Sequence, residues 1–194
     1  MDIVAADDNS FDADVIVCGV GTDLKLGPIA AKLDKTSGKA ISRLIDCNEI
    51  TGKFCEKTIV LAPSGLTATH LVVIGLGDER SLGQAFRVAA AGVKSVTSKA
   101  RQSVLLAFDD AGWNEPQQEA AVAGSVVGSS GQDLYREKKK RIAPETIMWS
   151  GCSEKARKRG EELGYSVNLT RRLVNTPAGD MYPCLLYTSD AADE

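Results

Sequence analysis

Short apolar runs rich in β-branched residues alternate along this sequence with longer segments in which apolar residues recur at helical spacing. The apolar runs are Val15–Val20, 57–62, His70–Gly75, 103–108 and 146–149. The helical segments are 26–45, which is broken at 36–38, then 81–96, 114–130 and 153–174. Because strands joined by helical crossovers are covered by those helices, the alternation predicts an α/β fold with three layers, a mixed β-sheet flanked by helices.

Two details concern the pairing of the predicted strands. The second and third runs are separated by Pro63-Ser64-Gly65, which indicates an antiparallel hairpin with a longer loop. Residues 71–76 are then expected to form a central strand. Near the N-terminus, Ile3 and Val4 are expected to pair with the first run.

The helical segments carry recognisable ends and faces. Ser81 is followed three residues later by Gln84, which has the form of a capping box at the start of a helix. The last helix is expected to turn a set of small and apolar residues inward, namely Ala156, Leu163, Val167, Thr170 and Val174. Gly160 and Gly164 are expected to weaken that helix locally.

Length and composition limit the class of protein. The 194 residues suffice for one domain, expected at 1–150, followed by a helix and junction at 151–183. With 43% hydrophobic residues, 25% charged residues and no apolar run near ~20 residues, no membrane partner is expected. The acidic start, without a signal-peptide pattern, predicts a cytoplasmic location.

Cysteine usage agrees with a reducing compartment. The chain has five cysteines and no Cys-x-x-Cys pair. Four of them stand in apolar or helical settings that suit buried, reduced thiols. The cysteines are Cys18, Cys47, Cys55, Cys152 and Cys184.

The end of the last predicted helix carries the most specific sequence signal. In Arg172-Leu173-Val174-Asn175-Thr176-Pro177, the proline bars a helical hydrogen bond and excludes helical geometry from Thr176, so the helix must stop there. Together with Gly52-Lys53-Phe54 and with 72–77, in this order, the junction resembles the N-terminal domain of the leucyl (cytosol) aminopeptidases, peptidase family M17. The resemblance covers about residues 3–183.

The resemblance implies a fold and a division of labour. Members have a macro-domain-like N-terminal domain, and a catalytic domain that holds two divalent metals, manganese or zinc, would begin after Pro183. The resemblance therefore implies that this chain is the non-catalytic N-terminal fragment of a hexameric leucyl aminopeptidase, with no catalytic, cofactor-binding or metal-binding residues of its own. Its partners would be its own catalytic domain and, in a homo-hexamer, further copies.

Three local features are candidate sites. Gly75-Leu76-Gly77 follows a strand as in dinucleotide sites, but Arg80 stands where that motif needs its last glycine. A strand end that turns into a capped helix is the favoured interpretation, and a nucleotide or ADP-ribose site is the alternative. His70, the single histidine, is predicted to be structural. Asp109-Asp110 has the chemistry of a cation ligand pair, although a loop start is favoured.

Basic residues form the sharpest charge feature. Arg136 opens a run that ends at Arg141, and four more lie at Lys155, Arg157, Lys158 and Arg159. A DNA-binding face at 136–159 is the alternative function, and some bacterial members of the family bind DNA. A solvated loop is favoured, because the chain carries a net charge of -3.

Residues 184–194 differ in character from the rest of the chain. They are similar to the translation of a sequencing adapter, so we expect a non-native read-through tail without a site. Their order of residues also differs from the metal-binding motif of the family.

Overall fold

The computed structural model describes residues 1–6, 11–131, 137–177 and 179–180. The predicted tail at 184–194 and Arg136 lie outside these residues. The strands are β1 (Asp2–Ala5), β2 (Val15–Val20), β3 (Lys57–Leu61), β4 (His70–Gly75), β5 (Ser103–Ala107) and β6 (Thr146–Ser150). The helices are α1 (Pro28–Thr36), α2 (Ala40–Asp46), α3 (Leu82–Val96), α4 (Glu115–Ser129) and α5 (Glu154–Asn175), and a 3-10 turn spans Asp109–Ala111.

The six described strands form one mixed sheet in the order β1-β6-β5-β2-β4-β3. Every neighbouring pair is parallel except β3 and β4, which form the predicted antiparallel hairpin. Strand β4 lies inside the sheet, between β2 and β3, and five of its six residues are buried. The three-layer α/β prediction is therefore confirmed.

The expected pairing of Ile3 and Val4 with the first apolar run is wrong. These residues belong to β1, and they pair with Ile147 and Met148 of β6. Both edges of β2 are already occupied by β4 and β5. Strand β1 is also held at the outer edge by α5, because Arg157 Nη1 donates to the carbonyl oxygen of Ile3 at 2.5 Å.

Side chains alternate between two apolar cores, one on each face of the sheet. Val15 and Val17 of β2 pack in the core beneath α3 and α4, whereas Ile16 and Cys18 pack in the core beneath α1 and α2. This period of two explains why a strand without polar residues still fits: both of its faces are covered.

Side-chain caps fix the helix starts only partly as predicted. Asn114 Oδ1 accepts from the Gln117 amide and the Gln117 side chain returns to the Asn114 amide, which makes a full capping box for α4. Ser81 Oγ likewise accepts from the Gln84 amide at 3.2 Å. The Gln84 side chain does not return to Ser81, because it donates to the carbonyl oxygen of Leu76.

Glycines bring α3, α4 and α5 into close contact. A Cβ on Gly124 of α4 would lie 2.1 Å from the Phe86 carbonyl oxygen of α3, and one on Gly128 would lie 2.5 Å from that of Ala90. A Cβ on Gly164 of α5 would lie 2.5 Å from Val126 Cβ of α4. Packing at such distances admits no side chain, so these glycines permit the helix contacts.

The predicted inner face of α5 is therefore partly wrong. Its buried residues are Ala156, Gly160 and Gly164. Leu163 is 46% exposed and Val174 is 77% exposed. Thr170 is exposed as well. The face that contacts α4 is made of the smallest residues, and the larger ones stand beside it.

The junction ends as its proline requires. Helix α5 stops at Asn175, whose side chain donates to the Arg171 carbonyl oxygen at 2.6 Å. Thr176 Oγ1 donates to the Arg172 carbonyl oxygen at 2.8 Å, and the Thr176 amide donates to the Leu173 carbonyl oxygen at 3.2 Å. Side chains thus satisfy carbonyls that a continued helix would have bonded.

Candidate functional site

A cavity of about 340 Å³ lies at the carboxyl ends of β2, β4 and β5. Its wall is formed by the loops that follow these strands, including Gly21, Asp78 and Trp113. In parallel α/β sheets this is the edge where ligands usually bind, at a point where neighbouring strands connect to opposite faces. Here the chain leaves β2 toward α1 on one face, and it leaves β4 and β5 toward α3 and α4 on the other. The cavity is therefore the first candidate for a ligand-binding site.

Asp110 uses its carboxylate on the protein itself. Its Oδ2 accepts hydrogen bonds from the amides of Ile29 at 3.1 Å and of Ala30 at 2.8 Å. These amides belong to the first turn of α1, whose N-cap residue, Gly27, has no side chain to cap them. A Cβ on Gly27 would lie 2.2 Å from the Asp110 Cγ atom, so a side chain there would displace this carboxylate.

The cation-binding alternative for Asp109-Asp110 therefore receives no support from Asp110, and the pair begins a 3-10 turn after β5. The other carboxylate, Asp109, lies against Gly151, where an added Cβ would fall 1.6 Å from Asp109 Oδ1. Among the residues that the structure describes, no three His, Cys, Asp or Glu side chains come together as a metal-ligand set.

The Gly75-Leu76-Gly77 step is explained by packing at the cavity rim. A Cβ on Gly75 would lie 1.9 Å from the Lys53 carbonyl oxygen. Gly77 has a φ of 72°, a left-handed conformation that favours glycine, and its amide donates to the Gly52 carbonyl oxygen at 3.0 Å. Both glycines thus allow the 52–54 loop to approach β4.

The polar groups of the cavity do not suit a phosphate. Anions bind at helix N-termini through free amides, but the first turn of α1 is capped by Asp110 and that of α3 by Ser81. The wall carries more acidic than basic side chains. The acidic ones are Asp23, Asp78, Glu79 and Asp110, and the basic ones are Lys25 and Arg80. The nucleotide alternative therefore gains no support from these described groups.

His70 lies at the opposite end of its strand, in a fixed hydrogen-bond network. Since an arginine can only donate, Arg101 Nη2 donates to His70 Nε2 at 3.2 Å, and His70 Nδ1 must carry the proton that it donates to Thr69 Oγ1 at 2.8 Å. Partial burial and then the charges of Arg101 and Lys99 lower the pKa of His70. This neutral, bonded imidazole has the structural role predicted for it.

The basic residues on α5 do not form one free face. Lys155 Nζ lies 2.7 Å from Glu115 Oε1, and Lys158 Nζ lies 2.7 Å from Glu154 Oε1. These hydrogen bonds and charges lower the pKa values of both carboxyls. Arg157 points inward to the Ile3 carbonyl oxygen. Three of the side chains proposed for DNA binding are thus engaged with other groups.

The described cysteines are free thiols in unlike surroundings. Burial raises the pKa of Cys18 to about 12, and that of Cys152 to about 11. Both remain protonated at neutral pH and are poor nucleophiles. Among the described cysteines, the expectation of a buried thiol is confirmed for Cys18. Cys55 and Cys152 are partly buried, and Cys47 is exposed just after α2.

None of the described helices is both long enough and apolar enough to cross a membrane.

Comparison with protein families gives a specific match. Residues 17–139 fit the model for the N-terminal domain of the cytosol aminopeptidase family. A probable cytosol aminopeptidase from Rhodopirellula baltica is 37% identical over 155 residues, which cover 79% of this chain and 30% of that protein. The chain spans about a third of the length of the curated relatives it matches.

Two solved structures support the same fold. A variant of tomato leucine aminopeptidase matches with a TM-score of 0.79 at 21% identity, over 96% of this chain and 40% of that one. A Trypanosoma brucei macrodomain in complex with ADP matches with a TM-score of 0.55 at 14% identity, over 83% of this chain and 67% of that one. These likenesses concern the fold, and they agree with the macro-domain-like architecture expected from the sequence.

Proposed function

The chain belongs to the cytosol aminopeptidase family, as its N-terminal domain, and from this premise we propose that it is the non-catalytic part of a cytosolic leucyl aminopeptidase. In the complete protein, a metal-dependent catalytic domain follows this chain and removes N-terminal residues from peptides. The two divalent ions, manganese or zinc, would be held by that domain. The domain described here would pack on it and help to organise a hexamer.

The exposed side of α5 is the observation that carries this proposal. Leu163, Val167, Thr170 and Val174 follow the spacing of one helical side, so they form a stripe next to the small residues that contact α4. We call these four residues the α5 stripe. A stripe with apolar residues on a helix normally faces other protein, yet its two ends are 46% and 77% exposed.

The end of α4 explains why the Val174 end of the stripe is uncovered. Helix α4 ends at Ser129, and the hydrogen bonds from α5 to that region come from Asn168 and Arg171. The last turn of α5 therefore extends past its neighbour, with Val174 at its tip. We propose that the link to the catalytic domain begins here, within the 151–183 segment, and that residues 154–168 belong to the domain predicted at 1–150.

Burial of the stripe would stabilise the contact between the two domains. Covering one leucine and one valine side chain contributes about 1.5–3 kcal/mol each when burial is complete. Partial initial burial reduces this contribution. This contact needs no catalytic group from the chain.

Removal of residues 1–170 from an intact copy of the protein tests the proposal. We expect gel filtration to show altered assembly, together with a change in peptide specificity. Assembly and specificity identical to those of the intact protein would refute an organising role.

A further inference from the structure

One side of α5 changes its chemical character where α4 ends. Gly160 and Gly164 contact the body of α4, and at the same helical spacing they are followed by Asn168 and Arg171. Neither of the two apolar cores includes a residue from 167–175 of α5. Polar side chains therefore replace small ones on the side of α5 that faces α4.

The C-terminus of α4 has no cap in its own sequence. Its last turn contains no basic residue, and its C-cap residue, Ser130, has an extended backbone with φ −96° and ψ 132° instead of the left-handed turn that often closes a helix. The last four carbonyl groups of a helix have no amide partner within it, and they carry the negative end of the helix dipole. Donors, and above all a cation, are therefore favoured at this end.

Asn168 and Arg171 supply such donors from α5. Asn168 Nδ2 donates to the Val126 carbonyl oxygen at 3.2 Å and to Ser130 Oγ at 3.2 Å. Arg171 Nη1 donates to the Val127 carbonyl oxygen at 3.4 Å and to Asn168 Oδ1 at 2.9 Å, which holds the two side chains together. Both residues are half-buried, so water and salt screen the guanidinium charge less than on an open surface. We call Asn168 and Arg171 the α5 clamp.

The α5 clamp lies where a small change of angle has a large effect. A helix rises about 1.5 Å per residue, so Asn175 lies roughly 16 Å beyond Gly164, the last glycine that contacts α4. A small tilt of α5 at Gly164 would therefore move the start of the link by several ångströms. Because hydrogen bonds are directional, the clamp opposes both a tilt and a rotation of this part of the helix.

We propose that the α5 clamp sets the direction in which the link leaves this domain, and that Asn168 and Arg171 are thereby positioning residues for the catalytic domain of the intact protein. This inference rests on the proposed function, because it requires a catalytic domain after the link. It differs from the α5 stripe, which is a contact surface, since the clamp fixes the helix that carries this surface. A helix held in one direction loses less conformational freedom when the two domains pack together.

Hydrogen exchange of the 194-residue chain tests the clamp itself. Arg171→Met removes the guanidinium but keeps a long side chain, so the amides of 172–176 should exchange about threefold to tenfold faster, as expected for the loss of one hydrogen bond. Arg171→Lys keeps the cation at the end of α4 and should stay close to wild type. Arg159→Met makes the same change at an exposed position in the first half of α5 and should leave these amides unchanged. Unchanged exchange in Arg171→Met would overturn the clamp.

The intact protein tests the positioning role. With native circular dichroism, Arg171→Met should shift the assembly toward smaller species in light scattering, Arg171→Lys should restore it, and Arg159→Met should assemble as wild type does. Normal assembly of Arg171→Met, although removal of residues 1–170 alters assembly, would overturn this inference and leave the proposed function standing. If removal of residues 1–170 alters nothing, the proposed function fails and this inference fails with it.

Discussion

Asp110 shows how a single carboxylate can serve structure where its position suggests a ligand site. The pair Asp109-Asp110 follows a buried strand, which is the usual place for functional acids in an α/β fold. The sequence alone offers no sign that Gly27, 83 positions earlier, needs a cap from elsewhere. Long-range caps of this kind depend on tertiary structure, so residue patterns cannot predict them.

Removing this cap should destabilise the protein. Asp110→Ala leaves two amides of α1 without their acceptor, and we expect the free energy of unfolding to fall by about 0.5–2 kcal/mol. Asp110→Asn keeps a side-chain oxygen of the same reach and should lose less. Urea titration followed by circular dichroism measures both, and equal stability of Asp110→Ala and wild type would contradict the capping role.

His70 makes a prediction about pH. Its pKa in the folded protein is lowered from the ordinary value of 6.5, so the unfolded chain takes up a proton first as the pH falls. The stability that His70 contributes is therefore complete above about pH 6.5 and is lost on acidification toward its folded pKa. The stability difference between wild type and His70→Gln, measured by urea titration, should shrink below pH 6.5; a difference that grows would contradict the sign.

Among the elements, strands were easier to predict than helix contacts. Apolar β-branched runs bounded by glycine and proline located β2 to β6, because that signal is local. The glycines of α4 and α5 are different: helix propensity predicts that they destabilise their helices, whereas in the structure they allow the helices to pack closely. The face of a helix that is buried depends on the shape of the neighbouring helix, and the periodicity of one sequence segment does not contain that information.

The glycine contacts predict a matched pair of opposite effects. Gly124→Ala places a Cβ against the Phe86 carbonyl oxygen, so α3 and α4 must separate, at a cost of about 1–3 kcal/mol. Gly83→Ala lies in the first turn of α3 with no atom within 4 Å, and its higher helix propensity should stabilise by about 0.5–1 kcal/mol. Thermal unfolding of both variants measures these effects as shifts of the midpoint temperature, and equal shifts of the same sign would refute the packing account.

At the scale of the whole molecule, the sequence predicted the fold class and family but not the arrangement of exposed surfaces. The resemblance rests on the order of several motifs that are unspecific one by one and on the junction at Pro177. The family comparison confirms it. The spacing of the α5 stripe is that of a buried face, so the sequence predicts that the stripe faces inward. In this chain the stripe lies beside the contact with α4, and the domain proposed to cover it is not included.

The chain alone should not hydrolyse peptides. With manganese and a leucine anilide, we expect no release of aniline above the buffer rate, since the proposal assigns all metal ligands to the catalytic domain. The intact protein under the same conditions is the positive control. Turnover by the chain that a chelator abolishes would contradict this division of labour.

The most direct measurement concerns the α5 stripe in an intact copy of the protein. Leu163→Asp with Val174→Asp places two charges on the proposed domain contact, whereas Leu82→Asp places one on α3, at a side chain that is 53% exposed. Size-exclusion chromatography with light scattering should show loss of assembly for the first variant and native assembly for the second. Native assembly of both variants would contradict the claim that this domain packs on the catalytic domain through the α5 stripe.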